Sequence, residues 1–317
     1  MKEYAARRLL LAFPTMLMVI IVVFFAVRVV PGDPIDFMIP ADMEGDARDE
    51  YVDMIRAQYG FDRPIHVQLV DYMARIIQLD FGVSLRRRTP VAEELAWRIP
   101  NTLQLGFFAL VISIVLGIPM GIISAMHRNS LIDNFTMLGA LFGVSMPSFF
   151  FGYMLMLILG LRFRWFPISG FGGPLYTWEG LRYAIMPGVT LGLASTAVLA
   201  RFTRSSMLEI VAEDYIRTAR SKGVSERIVI VKHALKNALI PVVTLLGIMF
   251  GAVLAGSVVV EAVFAWPGVG RYMIGGITSR DFPVVQGSVL VIALGFIVAN
   301  LLTDLTYAMI DPRIAYD

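Results

Sequence analysis

Hydrophobic positions in this sequence gather into six long stretches that contain no Asp, Glu, Lys, Arg or His. A helix of about 20 apolar residues crosses the ~30 Å hydrocarbon core of a bilayer, and each stretch has about that length or more. The stretches cover residues 9–27, 99–126, 134–161, 183–200, 237–260 and 282–303. This pattern predicts an all-α polytopic membrane protein with about six transmembrane helices.

The composition supports this class and excludes others. Of the 317 residues, 57% are hydrophobic, which is more than an ordinary soluble domain carries. The formal net charge of +2 is too small to indicate nucleic-acid binding. The sequence contains no cysteine, so disulfides and cysteine-based metal sites are excluded.

The distribution of charge predicts how the chain is oriented. Lys2, Arg7 and Arg8 precede a first stretch that is too long for a signal-peptide core and that no small-residue cleavage site follows. We therefore expect a retained span with a cytoplasmic N-terminus. The other segments predicted on that side are the turn at 127–128, the basic segment 201–241 and the tail 311–317.

Residues 31–98, between the first two stretches, are predicted to form a small helical insert on the extracytoplasmic side. Amphipathic patterns favour helices over 42–59 and 65–76 and a short third helix over 91–98. The insert is either a solvated cap that joins two spans or a gate or docking platform for a partner. The predicted divisions of the chain are 1–30 (tail and first span), 31–98 (insert), 99–310 (core with five spans) and 311–317 (tail).

The basic segment 201–241 is the most polar part of the core. Glu213 and Asp214 precede a helix-compatible run whose basic residues lie near its far end, which suits the helix dipole. Gly223 stands where a helix commonly ends in a left-handed cap. A second helix is expected from Ser225, and its predicted apolar face comprises Ile228, Val231, Leu235 and Leu239. Two short helices held between membrane spans predict a docking site for a soluble partner.

The run Asp214-Tyr-Ile-Arg-Thr-Ala-Arg-Ser-Lys-Gly223 resembles the EAA loop of binding-protein-dependent ABC importer permeases. Arg217, Thr218 and Ala219 stand where Glu-Ala-Ala is usual, and Lys236 stands where the general family has proline. Both departures are typical of the branch that imports peptides, nickel and glutathione. Further runs that resemble this branch lie at 31–34, 80–84, 200–204, 237–241 and 261–271.

This resemblance implies a type I ABC importer permease fold in a bacterial or archaeal inner membrane. The implied partners are a second, similar permease, two ATP-binding cassette subunits and an extracytoplasmic solute-binding protein. Segment 205–236 would be the coupling loop that fits a groove on the ATPase subunit. Its expected contact residues are Asp214, Tyr215, Arg217, Ala219, Arg220, Lys222 and Gly223. The implied cargo is a di- or oligopeptide, which crosses the membrane by alternating access.

The turn after the fifth stretch carries the residues expected at the outer gate. Glu261 is predicted either to cap the outer mouth of the pathway or to pair with Arg271. Trp266 precedes a Pro-Gly pair and is expected at the outer membrane interface, where tryptophan is enriched. We expect Glu261, Trp266 and Arg271 to form the gate or the docking site for the binding protein.

Polar or helix-breaking residues within the stretches are candidates for the translocation pathway. Pro147 is predicted to bend the third span, as Pro119, Pro187 and Pro241 are to bend theirs. The pathway candidates are Pro147, Asn300 and Asp304, because an ionisable group at membrane depth is a functional candidate by default.

Motifs that the sequence lacks limit the class of function. No Gly-x-x-x-x-Gly-Lys-Ser/Thr run is present, so we expect the chain to bind no ATP and to carry no cofactor of its own. We also expect no catalytic residues and no metal site, since the three histidines lack a second ligand at metal spacing. The alternatives that stay open are a permease for nickel chelates, glutathione or another small solute, and a stand-alone channel or secondary carrier.

Overall fold

The structure, a computed structural model, describes residues 2–29, 39, 43, 45–60 and 62–310 and is built of helices. The tail 311–317 and the run at 31–34 lie outside these residues. The helices are α1 (Lys2–Val29), α2 (Asp46–Tyr59), α3 (Ile65–Ile77), α4 (Val91–Met126), α5 (Leu131–Ser145), α6 (Ser148–Leu155), α7 (Trp178–Val211), α8 (Asp214–Ser221), α9 (Glu226–Ile228), α10 (Leu235–Val263), α11 (Val269–Thr278) and α12 (Phe282–Ile310). Two π-helical segments, Met156–Arg162 and Val229–Ala234, follow α6 and join α9 to α10.

Four helices in the described part of the chain are long and apolar enough to cross a membrane. They are Val91–Met126, Trp178–Val211, Glu226–Val263 and Phe282–Asp304, and the bent pair Leu131–Ser145 and Ser148–Arg162 would make a fifth. The apolar part of α1, Leu10–Ala26, is shorter. The all-α membrane fold is therefore confirmed, whereas the count of six spans stays a prediction. Helices α2 and α3 occur where the amphipathic patterns placed them.

The third apolar stretch is broken between α5 and α6, whose axes meet at 105°. Met146 has an extended backbone (φ −82°, ψ 125°), and Pro147 precedes the first residue of α6. Proline disfavours the helical conformation in the residue before it and has no backbone N–H to donate. Pro187 and Pro241, in contrast, lie inside the uninterrupted helices α7 and α10. Pro147 is thus the proline that breaks its helix.

The chain forms two compact units. Unit 1 is made mainly of Leu103–Trp266, and unit 2 contains the described parts of Arg7–Thr102 together with Pro267–Leu294. The core of unit 2 contains two clusters of buried side chains. One includes Val23, Phe24, Tyr72, Ile76 and Leu290, and the other includes Val91, Leu95, Val269, Tyr272 and Val284.

In unit 1, glycines allow α4 and α7 to approach each other closely. A Cβ atom on Gly121 of α4 would lie 2.6 Å from both the carbonyl oxygen of Ala200 and the Cβ of Thr203. A Cβ on Gly192 of α7 would lie 2.9 Å from the carbonyl oxygen of Ala109. Small residues permit such backbone contact in lipid, where the hydrophobic effect between helices is absent. The packing of these two helices therefore depends on glycine at both positions.

An ion pair with a buried carboxylate joins the first turn of α5 to α7. Asp133 is only 2% exposed, and its Oδ1 and Oδ2 accept hydrogen bonds from Nε and Nη2 of Arg204, each at 2.7 Å. Ser124 Oγ donates to Oδ1 at 2.5 Å, and the backbone N–H of Asn129 donates to Oδ2 at 2.9 Å. A buried carboxylate is tolerated when it is paired and its remaining acceptors are hydrogen-bonded, as here.

We predict that Arg204→Gln lowers the free energy of unfolding by about 3 kcal/mol or more, because it leaves the carboxylate of Asp133 buried without its counterion. Denaturant titration of the purified chain in mild detergent measures this. The matched control is Arg201→Gln, which removes the same charge from an exposed position three residues earlier and should cost less than about 0.5 kcal/mol. Equal stabilities for the two variants would contradict the prediction.

Candidate functional site

Helix α8 is anchored to unit 1 by one fully buried side chain, that of Ile216. It contacts a group of buried residues that we call the α8 cluster, which draws on α4, α7, the π-helical segment and α10. The cluster comprises Ala125, Met207, Ile216, Val229, Ala234 and Ala238. Because these residues come from four neighbouring elements, α8 is packed against the ends of three long helices.

The other face of α8 is exposed and mainly basic. Asp214, Arg217 and Lys222 are exposed, and their side chains make no hydrogen bond or ion pair within the described part of the chain. Of the residues predicted to contact an ATPase, these three have side chains available to a partner. The helix thus offers a short charged surface on a buried apolar base.

Gly223 ends α8 in the left-handed conformation that the sequence predicted, with φ +75°. The N–H of Gly223 donates to the carbonyl of Arg220 at 3.0 Å, and the N–H of Val224 donates to the carbonyl of Ala219 at 3.3 Å. This pair of bonds is the Schellman motif. Val224 and Ala219 also both pack against the α8 cluster, which supplies the apolar contact that commonly accompanies the motif.

Arg220 makes a contact within the segment that the sequence did not predict. Its Nη2 and Nε lie 2.7 Å and 3.1 Å from Oε1 and Oε2 of Glu226 at the start of α9. The hydrogen-bonded carboxylate raises the pKa of Arg220 above its ordinary value, so the guanidinium stays charged. The pair braces α8 against α9 across the turn at Gly223.

Tyr215 and Ala219, also predicted to contact the ATPase, are partly engaged within unit 1. The hydroxyl of Tyr215 accepts a hydrogen bond from Nδ2 of Asn237 in α10 at 2.8 Å, while 41% of the residue is exposed. Ala219 is half-buried against the α8 cluster. Both residues therefore hold α8 in place, and Tyr215 still presents part of its ring to solvent.

The helix after the Gly223 turn buries different residues from those predicted. Ile228 and Val231 are 48% and 57% exposed, whereas Val229 and Ala234 are fully buried. The π-helical segment Val229–Ala234, whose hydrogen bonds run from i to i+5, breaks the 3.6-residue register before Leu235. It places Val229 and Ala234, five residues apart, on the buried side. The apolar face predicted from a regular 3.6-residue period is therefore wrong for the first turns.

Glu261 and Trp266 both lie inside unit 1. Glu261 is fully buried and accepts a hydrogen bond from Ser257 Oγ at 3.1 Å. Trp266 is also fully buried, and its ring meets that of Phe171 edge to face, with centroids 4.9 Å apart. Its ring fills an apolar cluster of unit 1, and the position of Trp266 at the membrane interface stays a prediction. Arg271 belongs to unit 2, where it is exposed and lines a cavity.

The pathway candidates are separate features in the structure. Pro147 is exposed at the break between α5 and α6, and Asn300 and Asp304 are half-buried on α12. Asn300 packs near α10, since its Oδ1 lies 3.6 Å from where a Cβ on Gly251 would stand. A cavity of about 290 Å³ between α4, α10 and α12 is mostly apolar, and its lining includes none of the three.

Asp133 is the functional candidate that the sequence analysis missed. Its partner Arg204 lies in the run 200–204, which resembles the importer permeases, but nothing in the pattern linked the two residues. The signal available was a carboxylate three residues after Ser130, which caps α5 by accepting a hydrogen bond from the N–H of Asp133 at 3.3 Å. Among the described residues, no three His, Cys, Asp or Glu side chains come together as a metal site.

Comparisons with known proteins place the chain in a family. Residues 117–316 match the family described as binding-protein-dependent transport system inner membrane component, and residues 1–106 match its N-terminal companion. The glutathione transport system permease protein GsiC of Salmonella typhimurium strain LT2 is 43% identical over 316 residues, covering 100% of both chains. Its Escherichia coli K12 counterpart is 42% identical over the same length.

A solved structure supports the fold. The MetNI methionine ABC transporter, in an inward-facing conformation, superposes with a TM-score of 0.54 at 18% identity, covering 68% of this chain and 96% of that chain. The family matches, the full-length relatives and this fold agree with one another. The chain therefore belongs to the binding-protein-dependent ABC importer permeases, in the branch that includes the peptide, nickel and glutathione systems.

Proposed function

We propose that this permease pairs with a second, similar permease to form a pathway for short peptides, and that glutathione, a tripeptide, is the first cargo to test. The full-length relatives named as glutathione permeases support this choice of cargo. An extracytoplasmic binding protein would deliver the cargo. The observation that carries the proposal is the exposed basic face of α8, mounted on the buried α8 cluster.

In this proposal, the energy comes from two ATP-binding cassette subunits, because the chain itself has no P-loop sequence. Arg217 and Lys222 would contact the ATPase groove, and the N- and C-termini would lie on the same cytoplasmic side. An excess of Lys and Arg in segment 201–241 supports that orientation.

The packing beneath α8 supports a transmission role. Ile216 contacts residues of α4, α7 and α10 through the α8 cluster, so a displacement of α8 would act on three long helices together. Ser206 Oγ of α7 also donates to the carbonyl of Ala238 in α10 at 2.9 Å, which ties two of these helices at the same level. ATP and cargo would bias the inward- and outward-facing states through their unequal affinities for them.

Because the chain has no native cysteine, single substitutions introduce unique thiols for cross-linking in native membranes. We predict that Arg217→Cys and Lys222→Cys cross-link to a P-loop ATPase subunit. Arg164→Cys, an exposed position in the segment between the π-helical residues after α6 and α7, should not. Cross-linking from Arg164→Cys alone would reject α8 as the coupling element. If none of the three variants cross-links to an ATPase, the result would favour a stand-alone carrier.

Substitutions of Gly223 should impair coupling, and the loss should increase from Gly223→Asn to Gly223→Ala to Gly223→Pro. A Cβ at this position meets open space, so the cost of Gly223→Ala is that of the left-handed backbone, about 1 kcal/mol. Asn adopts this conformation more readily. Gly223→Pro also removes the N–H that donates to the backbone carbonyl of Arg220, and it forces φ to about −65°.

Substrate-stimulated ATPase activity of the reconstituted complex measures this order, with membrane insertion checked by the amount of protein in the bilayer. Wild-type activity for Gly223→Pro would show that the cap has no part in coupling.

We predict that Arg220 acts as a brace within the segment. Arg220→Glu should reduce transport, because it sets two carboxylates against each other where α8 meets α9. The exchanged pair Arg220→Glu with Glu226→Arg should recover most of that loss, since it restores an ion pair of similar geometry. Peptide uptake into cells measures both variants. If the exchanged pair is as inactive as the single variant, Arg220 contacts the partner directly.

A further inference from the structure

Unit 2 contains a cavity of about 610 Å³ that has no place in the coupling mechanism. Its volume lies within the range of small-molecule sites, roughly 300–1,000 Å³. Four arginines, Arg86, Arg87, Arg98 and Arg271, line it, together with the apolar surfaces of Trp97 and Val284. A cavity of this size with guanidinium groups on its walls is suited to an organic anion.

The carboxylates at this cavity are engaged within the protein. Asp281, the one acidic residue among those that line it, accepts hydrogen bonds from Ser84 Oγ at 2.5 Å and from the backbone N–H groups of Leu85 and Arg86. Glu94 pairs with Arg98 at 2.8 Å and with Arg87 at 3.8 Å. Both carboxylates thus hold the walls of the cavity in place, and the lining keeps an excess of positive charge.

Tyr272 supplies a donor with no acceptor. The residue is 6% exposed, and its buried hydroxyl has no hydrogen-bond partner among the described residues. The guanidinium carbon of Arg98 lies 4.6 Å from the centre of the Tyr272 ring, and that of Arg87 lies 5.9 Å from it. Burial raises the pKa of this phenol to about 12, so the hydroxyl keeps its proton at neutral pH. A buried donor left unpaired is costly, and an anion that came into contact with this hydroxyl would satisfy it.

We propose that this cavity binds a carboxylate group of a small organic solute. Arginine presents a planar set of donors that matches a carboxylate, and Trp97 and Val284 offer apolar surface to the rest of the ligand. The expected ligand, a short peptide with free carboxylates, rests on the proposed function; the geometry of the cavity does not. The same carboxylate chemistry could come from an acidic side chain of the binding protein, and the test separates the two sources.

The test measures binding of reduced glutathione to the intact chain in lipid nanodiscs, without partner subunits, by isothermal titration calorimetry. Glutathione carries two carboxylates, and its diethyl ester carries none. We expect saturable binding of glutathione that weakens with added salt, and no binding of the diester. Arg86→Gln should weaken binding tenfold or more, since it removes a charge-assisted hydrogen bond.

Two further variants make the result specific. Tyr272→Phe should weaken binding roughly tenfold without lowering the melting temperature, because the hydroxyl it removes has no partner in the described structure. Arg88→Gln removes a charge from the same arginine triplet, at an exposed residue that does not line the cavity, and should leave binding unchanged.

Three results would overturn the proposal: no saturable binding, equal binding of the diester, or an equal loss in Arg88→Gln. Loss of binding-protein docking in Arg86→Gln, with no glutathione binding to the wild-type chain, would reject it in favour of an acidic protein side chain. Cross-linking of Arg217→Cys to the ATPase is measured separately, so failure at the cavity leaves the coupling role standing, and the reverse also holds.

Discussion

The structure depends first on the need to pair every backbone N–H and C=O group where water is absent. Helices meet this need locally, which is why long uncharged stretches become helices and why a break in one requires compensation. The break at Met146 and Pro147 falls where proline has no N–H to satisfy. The π-helical segment Val229–Ala234 keeps its backbone paired while it changes the direction of later side chains. These two irregular segments thus occur where hydrogen bonding allows them.

Charged groups that are buried must likewise be paired. Asp133 is buried against the half-buried Arg204, and each oxygen of Asp133 has two hydrogen-bond donors. This pair lies in unit 1 and joins α5 to α7, the helix that leads into α8. On α8, buried apolar and exposed charged side chains are neighbours in sequence: Ile216 is fully buried, and Arg217 is exposed. A helix of eight residues can therefore be held rigidly and still present charge to a partner.

Local signals in the sequence predicted those features that depend on neighbouring residues alone. The long apolar helices, the start of α8 and the left-handed cap at Gly223 follow from apolar runs, helix-dipole charges and a glycine. The buried faces of the helices could not be predicted from these local signals. A periodicity of 3.6 residues placed Ile228 and Val231 inside, whereas the π-helical segment buries Val229 and Ala234, five residues apart. The burial of Trp266 and the pairing of Asp133 with Arg204 depend on contacts between residues distant in sequence, which no local pattern records. The pairing of Arg220 with Glu226 depends on the turn at Gly223 that brings α8 and α9 together.

The close approach of α4 and α7 limits how the protein can move. Gly121 leaves no room for a side chain beside Ala200 and Thr203, and Gly192 leaves none beside Ala109. If α4 turned about its own axis, a residue with a β-carbon would replace glycine at the contact and collide with the backbone of α7. This packing opposes rotation of α4 against α7, and we expect the two helices to move together. Relative motion within unit 1 would then occur at other places in the chain. The sharp bend between α5 and α6 at Pro147 is the most prominent of those described.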